Sequence, residues 1–330
     1  MKAEVKGTSL LPTRILFAWI VLALFSPILG YSQQADVASY PNKPIMFIIP
    51  VPPGVASDLA YRLLIRNAER HIGQPIIPIN KPGAGLTLGI AELAKAQPDG
   101  YTIGLTAFGP MTVTPFIQKV PFHPVNDFVQ IMQFSTSNPG LIVRTESPYK
   151  SLKDLMTDAR QGSKRLSFGA VAIGLAPSVM QKIAQKEGVE LVHIPFGAAG
   201  SAEIALLGGH IDMVAGDFNP SLIESRKTRL LVLWREEKAD EYPQTPILNE
   251  LGYDIPLRLF FGVQGPKGIP EGILKKIEDA FTKAIKEPEF IKGMKELRYP
   301  IFYRNSHDLN EYVAKSYEIY GQFFKSPVGR

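Results

Sequence analysis

The chain has 330 residues, a formal net charge of +5 and no cysteine. Without cysteine there is no disulfide framework, no zinc–thiolate site, no thiol nucleophile and no lipid anchor on an N-terminal Cys. There is no run of Lys or Arg and no aromatic–basic interleaving. So modest a charge makes no case for nucleic acid, although it suits a small anionic ligand.

In chain order, residues 1–32 read as an address. Lys2, Lys6 and Arg14 form a basic leader, residues 15–25 are an unbroken apolar run, Ser26-Pro27 breaks it, and Gly30 and Ser32 follow. That is the layout of a secretory signal peptide. The alternative, an uncleaved membrane anchor, is disfavoured because a bilayer span needs roughly 20 apolar residues. Cleavage is expected near Gly30 or Ser32, leaving a mature chain of net charge +3. A secreted chain without disulfides is expected in a bacterial periplasm, and its length allows two domains.

Residues 44–50 are a short apolar run between prolines, expected as a strand buried on both faces. Val51-Pro52-Pro53-Gly54-Val55-Ala56-Ser57-Asp58 is a first glycine turn. Ser57 and Asp58 are candidate caps for a helix with Leu59, Leu63, Leu64 and Ala68 on its apolar face, ended by Gly73. Residues 75–79 form a second strand, followed by a second glycine turn, Asn80-Lys81-Pro82-Gly83-Ala84-Gly85-Leu86-Thr87-Leu88-Gly89. A helix over 85–96 and a third strand over 101–106 complete a β-α-β-α-β order, which implies a parallel sheet with right-handed crossovers.

The pattern changes around 121–140. A strand at 141–143 then leads to a capped helix start at Ser151-Leu152-Lys153-Asp154. Strands at 166–169, 189–194, 211–214 and 230–234, with helices near 175–187 and 201–207, make a second α/β domain. Beyond 250 come a strand at 258–263 and a helix opened by Pro270 with Leu274, Ile277, Phe281, Ala284 and Ile285 on one face. A last helix is expected over 307–324. These C-terminal elements are expected to pack on the first domain. The expected fold is α/β and two-lobed, with 41–140 plus 257–330 as domain 1 and 141–256 as domain 2. Two chain crossings would join them beside a ligand cleft.

Catalysis finds little support in the motifs. His71, His123, His193, His210 and His307 form no metal spacing, and no nucleophile elbow or Walker motif is present. Gly83, Gly85 and Gly89 miss the dinucleotide spacing by one residue. No enzyme activity, metal or cofactor is expected. Each glycine turn instead joins an apolar run to a helix start, where unpaired N–H groups and the helix dipole suit an anion. Two such turns point to a carboxylate or a dicarboxylate. Asp58 has two readings, a complement to the helix dipole or an acceptor for a ligand ammonium or hydroxyl. Asp217, after an apolar strand, is either a turn former or a cleft residue.

At these turns the chain resembles the substrate-binding proteins of the tripartite tricarboxylate transporters, the TctC/Bug group. The opening Tyr40-Pro41-Asn42-Lys43-Pro44-Ile45, both glycine turns and Ala94-Lys95-Ala96-Gln97-Pro98-Asp99-Gly100-Tyr101-Thr102 are similar to family segments in order and spacing. So are His193-Ile194-Pro195-Phe196, Leu207-Gly208-Gly209-His210-Ile211-Asp212 and Gly216-Asp217.

The resemblance implies a periplasmic solute receptor of the type II-like binding-protein fold whose lobes close on a carboxylate. It implies turn residues Pro53, Gly54, Val55 and Asp58, and Pro82, Gly83, Ala84 and Gly85, as ligand contacts. Asp217 would face them from the other lobe, with Phe108, Gly174 and Phe196 completing the cleft. Expected partners are a small carboxylate and membrane permease subunits, with the receptor a monomer. A periplasmic sensor presenting its ligand to a signalling partner is the alternative.

Val55 and Leu86 stand where the family usually has glycine. Ala170, Leu175, Ser178, Phe196 and Gly197 depart from the hydrogen-bonding residues usual in the second lobe. A buried second carboxylate without partners would be costly. The expected ligand therefore has one carboxylate and an apolar or aromatic remainder.

Overall fold

A computed structural model describes residues 37–325 except 138, 163–164, 172–174, 198 and 240, together with Met1 and Ala3. The leader expected over 1–32 lies, apart from those two residues, outside the described part, as does Gly174.

The chain opens with β1 (Ile45–Ile49), α1 (Ala56–Ile72), β2 (Ile76–Asn80), α2 (Thr87–Ala94) and β3 (Thr102–Ala107). A single π turn, Gly109–Val113, runs into α3 (Thr114–Ile117), and β4 (Phe128–Ser135) follows. The second lobe holds β5 (Pro139–Arg144), α4 (Leu152–Gln161), β6 (Leu166–Val171), α5 (Leu175–Glu187), β7 (Leu191–Phe196) and α6 (Ala199–Leu207). It continues with β8 (Met213–Asp217), α7 (Pro220–Glu224) and β9 (Thr228–Leu233). The chain then returns through β10 (Phe261–Pro266), α8 (Glu271–Ala284), α9 (Pro288–Glu296), β11 (Ile301–Arg304) and α10 (Ser306–Lys325).

Two sheets result, ordered β11-β4-β10-β3-β1-β2 and β7-β6-β8-β5-β9. This is a two-lobed α/β fold. The chain passes between the sheets after Ser135 and again after Leu233. Strands β2, β1 and β3 are parallel. Both sheets are nonetheless mixed, because β10 is antiparallel to β3 and β4, and β5 to β8 and β9. Strands that enter from the other lobe need no crossover helix, and so can run either way.

Local signals explain many boundaries. Gly73 closes α1 at φ 80°, its N–H donating to Glu69 O, as a left-handed C-cap should. Ser151 and Asp154 form a reciprocal capping box at the start of α4. At α1 the expectation fails: the N-cap is Val55, and no side chain caps the helix. Leu59, expected on the apolar face, is exposed, while Tyr61, Leu64, Ile65 and Ala68 are buried. Strand β1 is not buried on both faces throughout. Met46 and its cross-strand neighbour Ile77 are 44% and 47% exposed.

The C-terminal strands β10 and β11 join the first sheet. Helix α10 starts against β4, but its end places Tyr320, Phe323 and Phe324 in the same apolar cluster as Leu175, Val179 and Met180 of the second lobe. Tyr320 Oη also donates to Pro256 O at 2.7 Å. This helix is a third tie between the lobes.

Candidate ligand-binding site

Strands β1 and β2 lie side by side with Ile49 opposite Asn80. The two glycine turns, well apart in sequence, therefore leave the sheet as neighbours at its carboxyl edge, where open α/β sheets hold ligands. A polar network ties them together. Asn80 Nδ2 donates to Val51 O at 2.9 Å and to Asp58 Oδ1 at 2.8 Å. Asp58 Oδ2 accepts from Gly54 N–H at 2.8 Å and from Arg62 Nε at 2.9 Å.

Asp58 is 1% exposed. Burial pushes its carboxyl up, but hydrogen bonds from Asn80, Arg62 and Gly54 together with the Arg62 charge outweigh that, and it titrates below its ordinary 3.8. Of its two sequence readings, the geometry shows a scaffold carboxylate that shapes the first turn. The Gly54 N–H is correspondingly committed to Asp58 rather than open to an anion.

The second turn has a different backbone. Gly83, Ala84, Gly85 and Leu86 run at φ 137°, 47°, 63° and 76°, four left-handed residues in succession. Glycine accepts this freely, whereas Ala84 and Leu86 each bear a cost of roughly 1–2 kcal/mol. No side chain caps this turn at Gly83 or Leu86. The contrast with Val55 is direct. Val55 sits at φ −71°, where any residue is at ease. The two departures from glycine thus differ physically: one adds bulk alone, the other bulk and strain. Gly89 has a packing role, since a Cβ there would lie 2.9 Å from Pro50 Cβ and 3.0 Å from Lys81 O. Its absence lets α2 lie directly against both turns.

A cavity of about 400 Å³ opens between the lobes. From the first lobe it is lined by Gly85, Leu86, Phe108, Pro110, Val113 and Thr114. From the second come Ala170, Val171, Leu175, Ala176, Gly197, Ala199 and the strand end Val214–Asp217, with Ser137, Pro139 and Trp234. The walls are chiefly apolar. Among the described residues Asp217 is the one charged side chain on this lining.

Asp217, at the exposed end of β8, opens on the cavity. The apolar walls around it withdraw its carboxylate from bulk water and raise it from 3.8 to about 6, with the neighbouring Ser137 hydroxyl acting the other way. The Ser137 hydroxyl makes no formed hydrogen bond, and neither does the indole N–H of the fully buried Trp234. Tyr299 approaches from the first lobe, and its phenol is pushed up by burial and by the Asp217 charge.

Of the sequence-predicted residues, Gly85, Phe108 and Asp217 come together on this lining. Pro53, Gly54, Val55, Asp58, Pro82, Gly83 and Ala84 build the two turns but do not line the cavity. Phe196 is half-buried and packs against Ala202, Leu206 and Ile211 of the second-lobe core. A Cβ on Gly169 would lie 3.0 Å from its ring, so the glycine makes room for it.

Trp234, Ser137 and Gly216 are lining residues that sequence reasoning did not single out. Trp234 ends an apolar run expected as a strand, while Ser137 falls in the stretch around 121–140 where the pattern changes. Among the described residues no cluster of His, Cys, Asp and Glu could hold a metal ion. None of the described helices is long and apolar enough to cross a membrane.

Residues 60–326 match the model of the tripartite tricarboxylate transporter family receptor, TctC. A protein of Cupriavidus necator described as a UPF0065 protein in the gbd 5' region is 32% identical over 287 residues, spanning 86% of this chain and 87% of that one. Among solved structures, a TctC solute-binding protein from Polaromonas without ligand superposes with a TM-score of 0.75 at 24% identity, covering 87% of this chain and 99% of its own. MatC from Rhodopseudomonas palustris, solved with bound malate, superposes with a TM-score of 0.72 at 21% identity, covering 86% and 99%. The fold is that of the periplasmic solute-binding proteins. The chain belongs to the tripartite tricarboxylate transporter receptor family.

Proposed function

We propose that this protein is a periplasmic receptor that holds one small carboxylate between its lobes and delivers it to a tripartite tricarboxylate-type permease. The carboxylate sits on main-chain amides of the second glycine turn, and an apolar or aromatic remainder fills the cavity. The observation that carries this reading is the uncapped left-handed turn at 83–86 opening, through Gly85 and Leu86, onto a cavity walled by Phe108, Pro110, Val113, Leu175 and Trp234. Such a turn offers amide donors to an anion, and the walls favour the transfer of apolar surface from water. The malate-bound relative lends support for a carboxylate, while these walls favour a less polar body than malate.

In this reading residues 1–32 are removed on export, and the receptor works as a monomer without metal or catalytic step. The two lobes move about the crossings after Ser135 and Leu233, with α10 as the third tie between them. A thermal-shift screen of aromatic monocarboxylates, aliphatic dicarboxylates and citrate tests it. Stabilisation by aromatic monocarboxylates is the expected result. Stabilisation by citrate alone contradicts it.

A further inference from the structure

Asp217 is an acceptor in a cavity that offers no countercharge, since no Lys or Arg shares the described lining. Two open donors lie on the same lining. Ser137 is 3% exposed and Trp234 0%; the Trp234 indole N–H has no partner, and the Ser137 hydroxyl, beside Asp217, forms no hydrogen bond of good geometry. The backbone gathers the three. Pro139 pairs with Asp217 across β5 and β8, and the Trp234 main-chain N–H donates to Pro139 O at 2.9 Å. One end of the second sheet therefore presents a carboxylate and two unpaired donors, across the cavity from Gly85 and Leu86.

Buried donors without partners are costly and rare. A bound group that satisfies them must accept a hydrogen bond, and to suit Asp217 it must also donate one. A methyl group does neither. An ammonium only donates, and would leave the indole N–H open. A second carboxylate only accepts, and would set two like charges together. A hydroxyl does both.

We propose that Asp217, Ser137 and Trp234 form a second subsite that takes a hydroxyl at the end of the ligand remote from its carboxylate. The preferred ligands are then hydroxy-monocarboxylates with an apolar body, and dicarboxylates are turned away. This rests on the carboxylate-receptor reading above and adds the identity of the far end. Tyr299, the group facing Asp217 from the first lobe, has its phenol held up by burial and by the Asp217 charge. It stays neutral and supplies no countercharge.

Calorimetric titration at pH 7.5 with 4-methylbenzoate, 4-hydroxybenzoate, 4-(aminomethyl)benzoate and terephthalate tests the subsite, because the four differ only at the far end. The expected result is 4-hydroxybenzoate tightest, about tenfold ahead of 4-methylbenzoate, the size of a hydrogen bond to a charged group. Asp217→Ala should reduce that lead to less than about threefold. Should that variant fail to fold, Ser137→Ala reads the same lead. Equal or tighter binding of the methyl, ammonium or carboxylate compound overturns the subsite, and so does a lead that survives Asp217→Ala. Binding by none of the four overturns the carboxylate reading itself, and the subsite with it.

Discussion

Arg298 on the first lobe and Glu224 on the second meet in a two-pronged ion pair, Nη1 to Oε1 and Nη2 to Oε2, both at 2.7 Å. Glu224 ends α7, and Arg298 lies between α9 and β11 with its backbone at φ 60°, an uncommon left-handed conformation for a non-glycine residue. The pair links the two lobes. Both side chains are substantially open to water, at 40% and 51% exposure, which limits its strength to about 0.2–1 kcal/mol. Arg298→Ala should therefore weaken ligand binding by only about two- to fivefold, through faster release. Calorimetry paired with stopped-flow release measures this. An unchanged release rate would show that the pair does not hold the lobes closed.

Asp58 carries a prediction about stability rather than binding. Its removal strands the Gly54 N–H and the Asn80 and Arg62 side-chain donors, and Asp58→Ala should cost about 2 kcal/mol. The pH dependence has a definite sign. Because the folded carboxyl titrates below its ordinary 3.8, its contribution is present above that value and is lost as pH falls through the lower folded value. The melting gap between wild type and Asp58→Ala should be widest near neutrality and close in acid. A gap independent of pH would refute the network's role.

Leu86 combines a strained backbone with a place on the cavity wall. Leu86→Gly should release about 1 kcal/mol of backbone strain while surrendering apolar contact. The two effects oppose each other in the fold but not in specificity. The variant should lose affinity for aromatic monocarboxylates relative to malate. Competition titration of the two ligands reads the ratio, and an unchanged ratio would remove Leu86 from the specificity wall.

Asp217 behaves in the opposite sense to Asp58. Its carboxyl is raised from 3.8 to about 6, so the folded chain holds a proton that the unfolded chain has released between those values. Stability therefore falls as pH climbs through that window and stays lower above it. Asp217→Asn removes the penalty. Its melting temperature should exceed that of wild type at pH 7.5 and match it at pH 4, by a small margin because water in the cavity screens the charge. A variant less stable than wild type at pH 7.5 would contradict the raised carboxyl.

Apolar runs, glycine turns and capping residues made much of the fold readable. The run of Ile and Phe in β1, the Ser151 capping box and the extent of α5 all followed from local chemistry. Strand β4 did not, because Gln130 and Gln133 interrupt its apolar pattern. Both are buried, at 2% and 1% exposure; Gln130 Nε2 finds its partner across the sheet at Gln264 Oε1, and Gln133 Nε2 along its own strand at Ser135 O. Strand β11 is four residues long and lies at a sheet edge, too short for periodicity to declare. At the site, the turn residues were legible because glycine and proline state their backbone needs locally. That Asp58 would be consumed by Asn80 and Arg62, or that Trp234 and Asp217 would both pair with Pro139 of β5, depends on strand register, which no local pattern carries.

The central claim is that the left-handed turn at 83–86 holds a carboxylate whose apolar body fills the cavity. Gly83 sits at φ 137°, and a Cβ there would approach Leu88 Cδ2 to 3.3 Å. A bulky Gly83→Val side chain should therefore distort the amide cradle without reaching the core. Calorimetric titration of wild type and Gly83→Val with an aromatic monocarboxylate and with citrate is the most direct measurement. The account predicts one monocarboxylate bound per wild-type chain, weak or no citrate binding, and loss of binding in a folded Gly83→Val. Citrate bound in preference, or monocarboxylate affinity unchanged by Gly83→Val, would contradict it.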